Sequence, residues 1–298
     1  MSVRVLGDER AALKVRPGDP GLRRFGIAVL VLAIALLANS VAGPLLAGWV
    51  TYPIPESLLN QLLGLEVVTL VLVVPVAFVA AVLALRTHPM APVLAFGPAA
   101  YTAYMFVQYV VGPDYASYSL VVVAHVAITS LAGILTLWSW SLSVRRPMPV
   151  SGIARRRRRA LLLALLAGFV LLRYVPGLVG AVTGEPIPAE FLDARAFFWS
   201  IFLLDLGVVV PGVTLAALAM WRGAEVAERA YCAVLGWFVM VPPSVAAMAA
   251  VMVLRDDPYA SVPTLVLLTV ASVVFAVPAV LAVRTSRRYG PDASAPGS

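Results

Sequence analysis

Eight stretches of about 20 apolar residues dominate the chain, and short polar connections separate them. A helix needs about 20 residues to cross the roughly 30 Å hydrocarbon core of a bilayer, and a helix satisfies its own backbone there. The sequence therefore predicts an all-α integral membrane bundle of eight transmembrane helices. The predicted stretches are residues 25–47, 62–85, 92–111, 118–142, 160–182, 197–221, 230–254 and 262–283.

The balance of residue types excludes an ordinary soluble domain. Hydrophobic residues make up 61% of the chain and charged residues only 12%, whereas charged residues form about a quarter of a soluble domain. The first stretch is long and no clear small-residue cleavage site follows it, so we expect a retained helix rather than a signal peptide. The lipid bilayer is the expected partner.

Basic residues are distributed very unevenly between the two sides of this predicted bundle. Nineteen of the 22 lysines and arginines lie in the two tails and in the connections after the second, fourth and sixth stretches. Cytoplasmic connections carry such an excess, which predicts that both termini are cytoplasmic. The arginine run 155–159 could bind nucleic acid or anionic lipid, but an anchor at the cytoplasmic face explains it. We therefore expect no nucleic-acid partner.

The middle of the sequence separates two similar halves. Residues 52–56 resemble 185–189, and residues 115–117 resemble 259–261; Pro75 precedes Arg86 by the same spacing as Pro211 precedes Arg222. A duplication of four helices would give parallel repeats. The predicted organisation is a tail (1–24), repeat 1 (25–142), a basic loop (143–159), repeat 2 (160–284) and a second tail (285–298).

Three charged residues lie inside the apolar stretches. Arg173 is the only basic one, and Glu66 and Asp205 are the only acidic ones. A bare guanidinium in hydrocarbon costs several kcal/mol, so we expect Arg173 to pair with one of the two acids. The pair could bind a ligand, or it could be a purely structural link between helices.

Several uncharged polar residues share the same half of the bilayer with these charges. At about 1.5 Å of rise per residue, the set lies about 5–14 Å in from the extracytoplasmic face. Tyr101, Tyr104 and Gln108 follow helical spacing and share one helix face. The sequence thus predicts an outward-facing polar cavity above an apolar floor. Its candidate lining residues are Arg173, Asp205, Glu66, Tyr101, Tyr104, Gln108, His125 and Asn39.

The sequence offers no catalytic or metal-binding pattern. His125 is the only histidine within a stretch and Cys232 is the only cysteine, and no zincin, nucleophile-elbow or phosphate-loop motif is present. We therefore expect no metal, cofactor or catalytic residue. An intramembrane enzyme acting on a lipid-like substrate, with Glu66, His125 or Asp205 as acid or base, is the least favoured hypothesis.

Two regions, about residues 55–125 and 200–285, resemble a group of uncharacterised prokaryotic multi-pass membrane proteins. In that group the position of Glu66 is more often aspartate. The resemblance implies a location in the prokaryotic cell membrane and importance for Glu66 and Asp205, but it brings no activity. The resemblance rests on residues 66–70, 74–75, 83–86, 101–104, 109, 112, 205–207, 210–211 and 221–222.

The leading functional hypothesis is a permease for a small polar or anionic solute. Arg173 would bind the anion, with Glu66 and Asp205 as coupling or pairing groups. The alternative is a ligand-binding or sensory membrane module that does not transport. The absence of charge in the cytoplasmic half favours this alternative mildly, because a transporter must expose its site inward at some stage.

Overall fold

The described residues form eight helices in the order that the apolar stretches predict, with no strand among them. The computed structural model describes residues 19–146, 148 and 151–287, with side chains as far as residue 277. Most of both predicted tails therefore lies outside the described residues. The helices are α1 (Pro20–Ala42), α2 (Glu56–Leu85), α3 (Ala91–Val111), α4 (Leu120–Val144), α5 (Ile153–Thr183), α6 (Arg195–Arg222), α7 (Ala227–Leu254) and α8 (Val262–Arg287).

Among the described residues, α1, α2, α4, α5, α6 and α7 are long and apolar enough to cross a membrane. The predicted all-helical class is thus confirmed, and the length and apolarity of six helices support a membrane protein. Exposed large apolar side chains cover the outside of the bundle, including Leu137, Leu203 and Leu215. Such an apolar exterior suits a lipid environment, where burial inside the protein is not the only way to remove these groups from water.

Two helix ends differ from the predicted boundaries, and both differences affect the polar sites. α1 ends at Ala42 rather than at residue 47, because Pro44 restricts the backbone of Gly43 and cannot donate a helical hydrogen bond. α2 begins at Glu56 rather than at residue 62. Its additional first turns carry polar residues that apolarity alone left outside the helix.

Prolines interrupt four of the long helices. In α2 a π-helical turn, Thr69–Val73, directly precedes Val74 and Pro75. In α6 a π-helical turn, Asp205–Val209, directly precedes Val210 and Pro211. α5 breaks at Tyr174, two residues before a proline, and α7 breaks at residues 239–240, just before another. A proline removes one backbone donor, so the preceding turn must rearrange.

The first and second halves of the chain pack against each other at several places. The first part of α2 packs against the second part of α7, and the first part of α6 packs against α3. α3 also crosses the first part of α7, where Gly97 meets Gly236. A Cβ added to Gly97 would lie 2.6 Å from the carbonyl oxygen of Gly236, so this crossing depends on glycine.

Hydrogen bonds from the start of α7 close the end of the bundle that carries most of the arginines, called here the basic end. Arg159 forms an ion pair with Glu228 and donates to the Ser151 hydroxyl at 2.9 Å. Arg229 donates to the carbonyl oxygen of Ser143 at 2.9 Å and also to that of Arg146. Arg159 therefore links α5 to α7, a contact beyond the anchoring role predicted for the run 155–159.

Candidate functional site

A cavity of about 300 Å³ lies between α2, α3, α5, α6, α7 and α8, towards the end opposite the basic end. Its walls are mainly apolar, with Trp237, Phe238 and Phe275 among them, and a few charged and amide side chains converge at one side. This combination is typical of small-molecule sites, and the volume lies at the small end of their range. The polar lining residues are Gln61, Tyr104, Gln108, Arg173, Glu190, Asp205, Tyr259, Ser261 and Thr264.

Asp205 is the most completely hydrogen-bonded charged group at the cavity. One of its oxygens accepts a 2.6 Å hydrogen bond from the Tyr104 hydroxyl, and the other accepts from the Tyr174 hydroxyl. The two tyrosine hydroxyls thus satisfy both oxygens of the carboxyl group. The π-helical turn of α6 begins at Asp205, and the break in α5 places Tyr174 beside it. We call Asp205, Tyr104 and Tyr174 the Asp205 cluster.

Arg173 lines the same cavity but does not form the predicted ion pair. The only ion pairs within 4 Å among the described residues are Arg146–Asp19 and Arg159–Glu228. The Arg173 side chain is exposed, and its guanidinium lies 5.7 Å from the ring centroid of Tyr174. The prediction failed because Arg173 is in the last turn before the break in α5, where the side chain reaches the cavity rather than hydrocarbon.

Glu66 lies in a second polar group, enclosed by α1, α2, α3 and α4. The carboxyl group of Glu66 accepts one hydrogen bond, at 3.2 Å, from the backbone N–H of Leu45. Nearby, Nε2 of His125 is 2.8 Å from the side-chain oxygen of Asn39, and the ring of Tyr52 stacks on that of His125. Glu66 and His125 are each only 1% exposed. We call Asn39, Tyr52, Glu66 and His125 the Glu66 cluster.

The single predicted site is therefore divided. Tyr104, Gln108, Arg173 and Asp205 line the cavity, whereas Asn39, Glu66 and His125 belong to the Glu66 cluster. Tyr101 belongs to neither, because its hydroxyl is hydrogen-bonded to that of Ser244 at 2.7 Å in the contact between α3 and α7. Predicted depth was similar for all of these residues, but depth along a helix does not say which neighbour a side chain faces.

Sequence reasoning missed the acidic residues in the connections. Glu190 lines the cavity and accepts from Gln61 at 3.4 Å. Its pKa is raised by burial and by the Asp257 carboxylate, while Arg173 acts in the opposite direction. Asp257 itself is 8% exposed and accepts from Asn60 at 2.8 Å and from Ser57 at 3.1 Å. All of these residues lie outside the apolar stretches, so apolarity gave no signal for them.

Hydrogen-bonded networks of polar and charged side chains lie at both ends of the bundle. At the opposite end, Asp257 ties the loop after α7 to the start of α2, and Arg255 adds a 3.2 Å hydrogen bond to Asn60. At the basic end, Glu228 and Arg229 tie the start of α7 to α5 and to the end of α4. α7 thus bears a hydrogen-bonded network at each of its ends and a break beside the cavity.

The polar and charged groups in the cavity lining could bind a small ligand. Among the described residues, no group of three or more histidine, cysteine or acidic side chains could hold a metal ion. What the lining offers is one cation, two acids, two amides and a large apolar surface. Comparison with protein-family models, with curated proteins and with solved structures finds no match for the chain.

Proposed function

We propose that the chain is a permease-like protein that binds a small polar solute in the cavity between its two halves. The observation that carries this proposal is the position of Arg173. Its guanidinium faces the cavity without an ion-pair partner among the described residues, and two acids line the same space. A free guanidinium is a ready binding group for a carboxylate, which it can hold through two parallel hydrogen bonds.

The charges of the cavity favour a zwitterion over a simple anion. Arg173 supplies one positive charge, while Asp205 and Glu190 supply negative charge nearby. A simple anion would meet repulsion from the acids, whereas an ammonium group on the same solute would be attracted to them. The aromatic and aliphatic walls, with Trp237 and Phe238, would accommodate an apolar body. The proposed solute class is therefore a small zwitterion with an apolar side chain.

Transport further requires a membrane-spanning frame that can expose the cavity to both sides. We propose eight crossings, with both termini in the cytoplasm, because 19 of the 22 basic residues fall on one side of that map. A reporter fused after Arg288 should then be cytoplasmic, and one inserted near Glu185 should be outside. Opposite labelling at either position would exclude the eight-helix topology.

A parallel duplication of four helices would give this frame its two halves. Its support is that α2 and α6 each contain a π-helical turn directly before a Val-Pro pair. The reciprocal packing of α2 on α7 and of α6 on α3 is what a two-fold axis along the membrane normal would produce. Rocking of one half against the other would require α7 to release, in turn, the Asp257 network and the hydrogen bonds from Arg229 to the end of α4.

A set of matched compounds tests the solute class. We would titrate purified protein in lipid nanodiscs with leucine and phenylalanine, with 4-methylpentanoate, which lacks the ammonium group, and with isoamylamine, which lacks the carboxylate. We expect one of the zwitterions to bind at least about tenfold tighter than either singly charged compound, since one charged contact of about 1.4 kcal/mol supplies that factor. Equal binding of all four, or binding of neither zwitterion, would contradict the proposed class.

Matched arginine variants locate the binding. Arg173→Gln should abolish the preference for the zwitterion, because the carboxylate loses its partner. Arg195→Gln is the control, since Arg195 is also exposed but does not line the cavity. An equal loss in both variants would place binding elsewhere.

The same zwitterion then separates transport from binding alone. Uptake of the labelled compound into proteoliposomes, absent with Arg173→Gln, would support the permease. Binding without uptake would favour the ligand-binding or sensory module instead. The Arg159–Glu228 pair, which closes the basic end, is the observation that keeps this second candidate in consideration.

A further inference from the structure

The Glu66 cluster has no role in the cavity, yet it contains the most deeply buried acid of the bundle. Glu66 is 1% exposed, and the segment 43–55, between α1 and α2, lies over it. The fit is close at Gly43, where an added Cβ would lie 2.4 Å from Glu66 Oε1. The carboxyl group is therefore sealed from the surrounding solvent by backbone.

The hydrogen bonds around Glu66 do not suffice for a charged carboxylate. Oε2 accepts from the Leu45 N–H, and Oε1 has no partner within the described part of the chain. A buried ionised carboxylate costs far more than a neutral acid unless several donors or a cation compensate it. Asp205 has two hydroxyl donors and Arg173 nearby; Glu66 has one backbone donor.

Among the described residues, no permanent cation faces Glu66 from the elements packed around it. α1 contributes Asn39, the segment 43–55 contributes Tyr52, α3 contributes Tyr109 and α4 contributes His125. Tyr115, in the connection after α3, lies near Tyr52.

His125 does not supply the missing positive charge. Its Nε2 pairs with the Asn39 side-chain oxygen, while Nδ1 has no acceptor among the described residues. A histidine that donates through Nε2 and leaves Nδ1 without an acceptor is satisfied best as the neutral ring.

We propose that Glu66 is a proton-binding site that is loaded in this conformation. The proton resides on Oε1, which has no hydrogen-bond partner, while Oε2 keeps the Leu45 N–H bond. The carboxylate gains one proton from water and becomes a neutral acid, and it returns that proton when the segment 43–55 lifts and hydrates it. The inference does not depend on the solute proposed for the cavity, because the Glu66 cluster is separate from it.

Infrared difference spectroscopy of the full chain in lipid nanodiscs tests the protonation state. We expect a carboxylic-acid C=O band at neutral pH that Glu66→Gln removes and Asp205→Asn leaves in place. A carboxylate band lost in Glu66→Gln at neutral pH would overturn the proposal. So would a C=O band that sodium or potassium ions convert to carboxylate, since the site would then bind a metal cation.

Two further measurements keep the test decisive. If Glu66→Gln does not fold, the protein can instead be labelled with ¹³C-glutamate in a Glu190→Gln background. We then expect the label to shift the same C=O band. An unshifted band would contradict the proposal. Gly43→Ala should speed exchange of the Glu66 proton with D₂O at least about tenfold by loosening the cover. Gly133→Ala is the control, because nothing lies within 4 Å of its added Cβ. Equal exchange in both variants would show that the segment 43–55 does not seal the site.

Discussion

The two buried acids of the bundle have opposite surroundings. Asp205 borders a cavity, accepts from two tyrosine hydroxyls and lies near a guanidinium. Glu66 is sealed beneath a loop, accepts from one backbone N–H and faces no permanent cation. If Glu66 is neutral, as we propose, an ionisable residue in an apolar stretch need not be a charged group in the fold. The number of donors that the fold brings to the carboxyl decides whether it remains an ion.

Among substitutions of the two buried acids, we expect Asp205→Asn to reduce stability the most. Asp205→Asn should lower the free energy of unfolding by about 2 kcal/mol, because the new amide NH₂ cannot accept from one of the two tyrosine hydroxyls. Glu66→Gln should change it by less than about 0.5 kcal/mol, since one amide oxygen still accepts from the Leu45 N–H. Reversible unfolding in lipid–detergent micelles measures both. A larger loss in Glu66→Gln would mean that Glu66 is the charged acid.

The apolar pattern predicts the helices well because lipid and helix geometry impose the same length on each stretch. It fails at helix ends, where Gly43 and Pro44 stop α1 early and polar residues extend α2 backwards to Glu56. Both differences affect the polar sites. The early end of α1 places Gly43 over Glu66, and the early start of α2 brings Gln61 to the cavity.

The sequence could not predict which neighbouring helix each polar side chain faces, and the reason is geometric. Tyr101 and Tyr104 are neighbours on one helix face, yet the roughly 60° between them places one against α7 and the other in the cavity. Depth can be counted along a single helix, but the lateral order of helices cannot. Arg173 was expected to need a partner because its stretch looked continuous, whereas the break at Tyr174 opens the site to the cavity.

Removing one hydrogen bond from each cluster should have an intermediate effect on the free energy of unfolding. Tyr104→Phe should cost about 1 kcal/mol, because its hydroxyl donates to a charged oxygen. His125→Phe should cost about 0.6 kcal/mol, since its bond to Asn39 is between neutral groups and the ring stacking is retained. The same unfolding assay compares them, and Tyr118→Phe, on a fully exposed side chain, is the control. A costlier His125→Phe would reverse the proposed order of the two clusters.

The smallest expected effect is on stability in Arg173→Leu, although this arginine matters most for the proposed binding. Its side chain is exposed and has no ion pair with either acid, so the variant should unfold within about 0.5 kcal/mol of wild type. The cation–π contact with Tyr174, at 5.7 Å, contributes little at an exposed position. Adding Asp205→Asn to Arg173→Leu should then reproduce the loss of Asp205→Asn alone, because the two side chains form no ion pair within 4 Å. If the second substitution instead restored stability, Arg173 and Asp205 would form a buried ion pair. The charge of Asp205 would then be stabilised mainly by arginine rather than by the tyrosine hydroxyls.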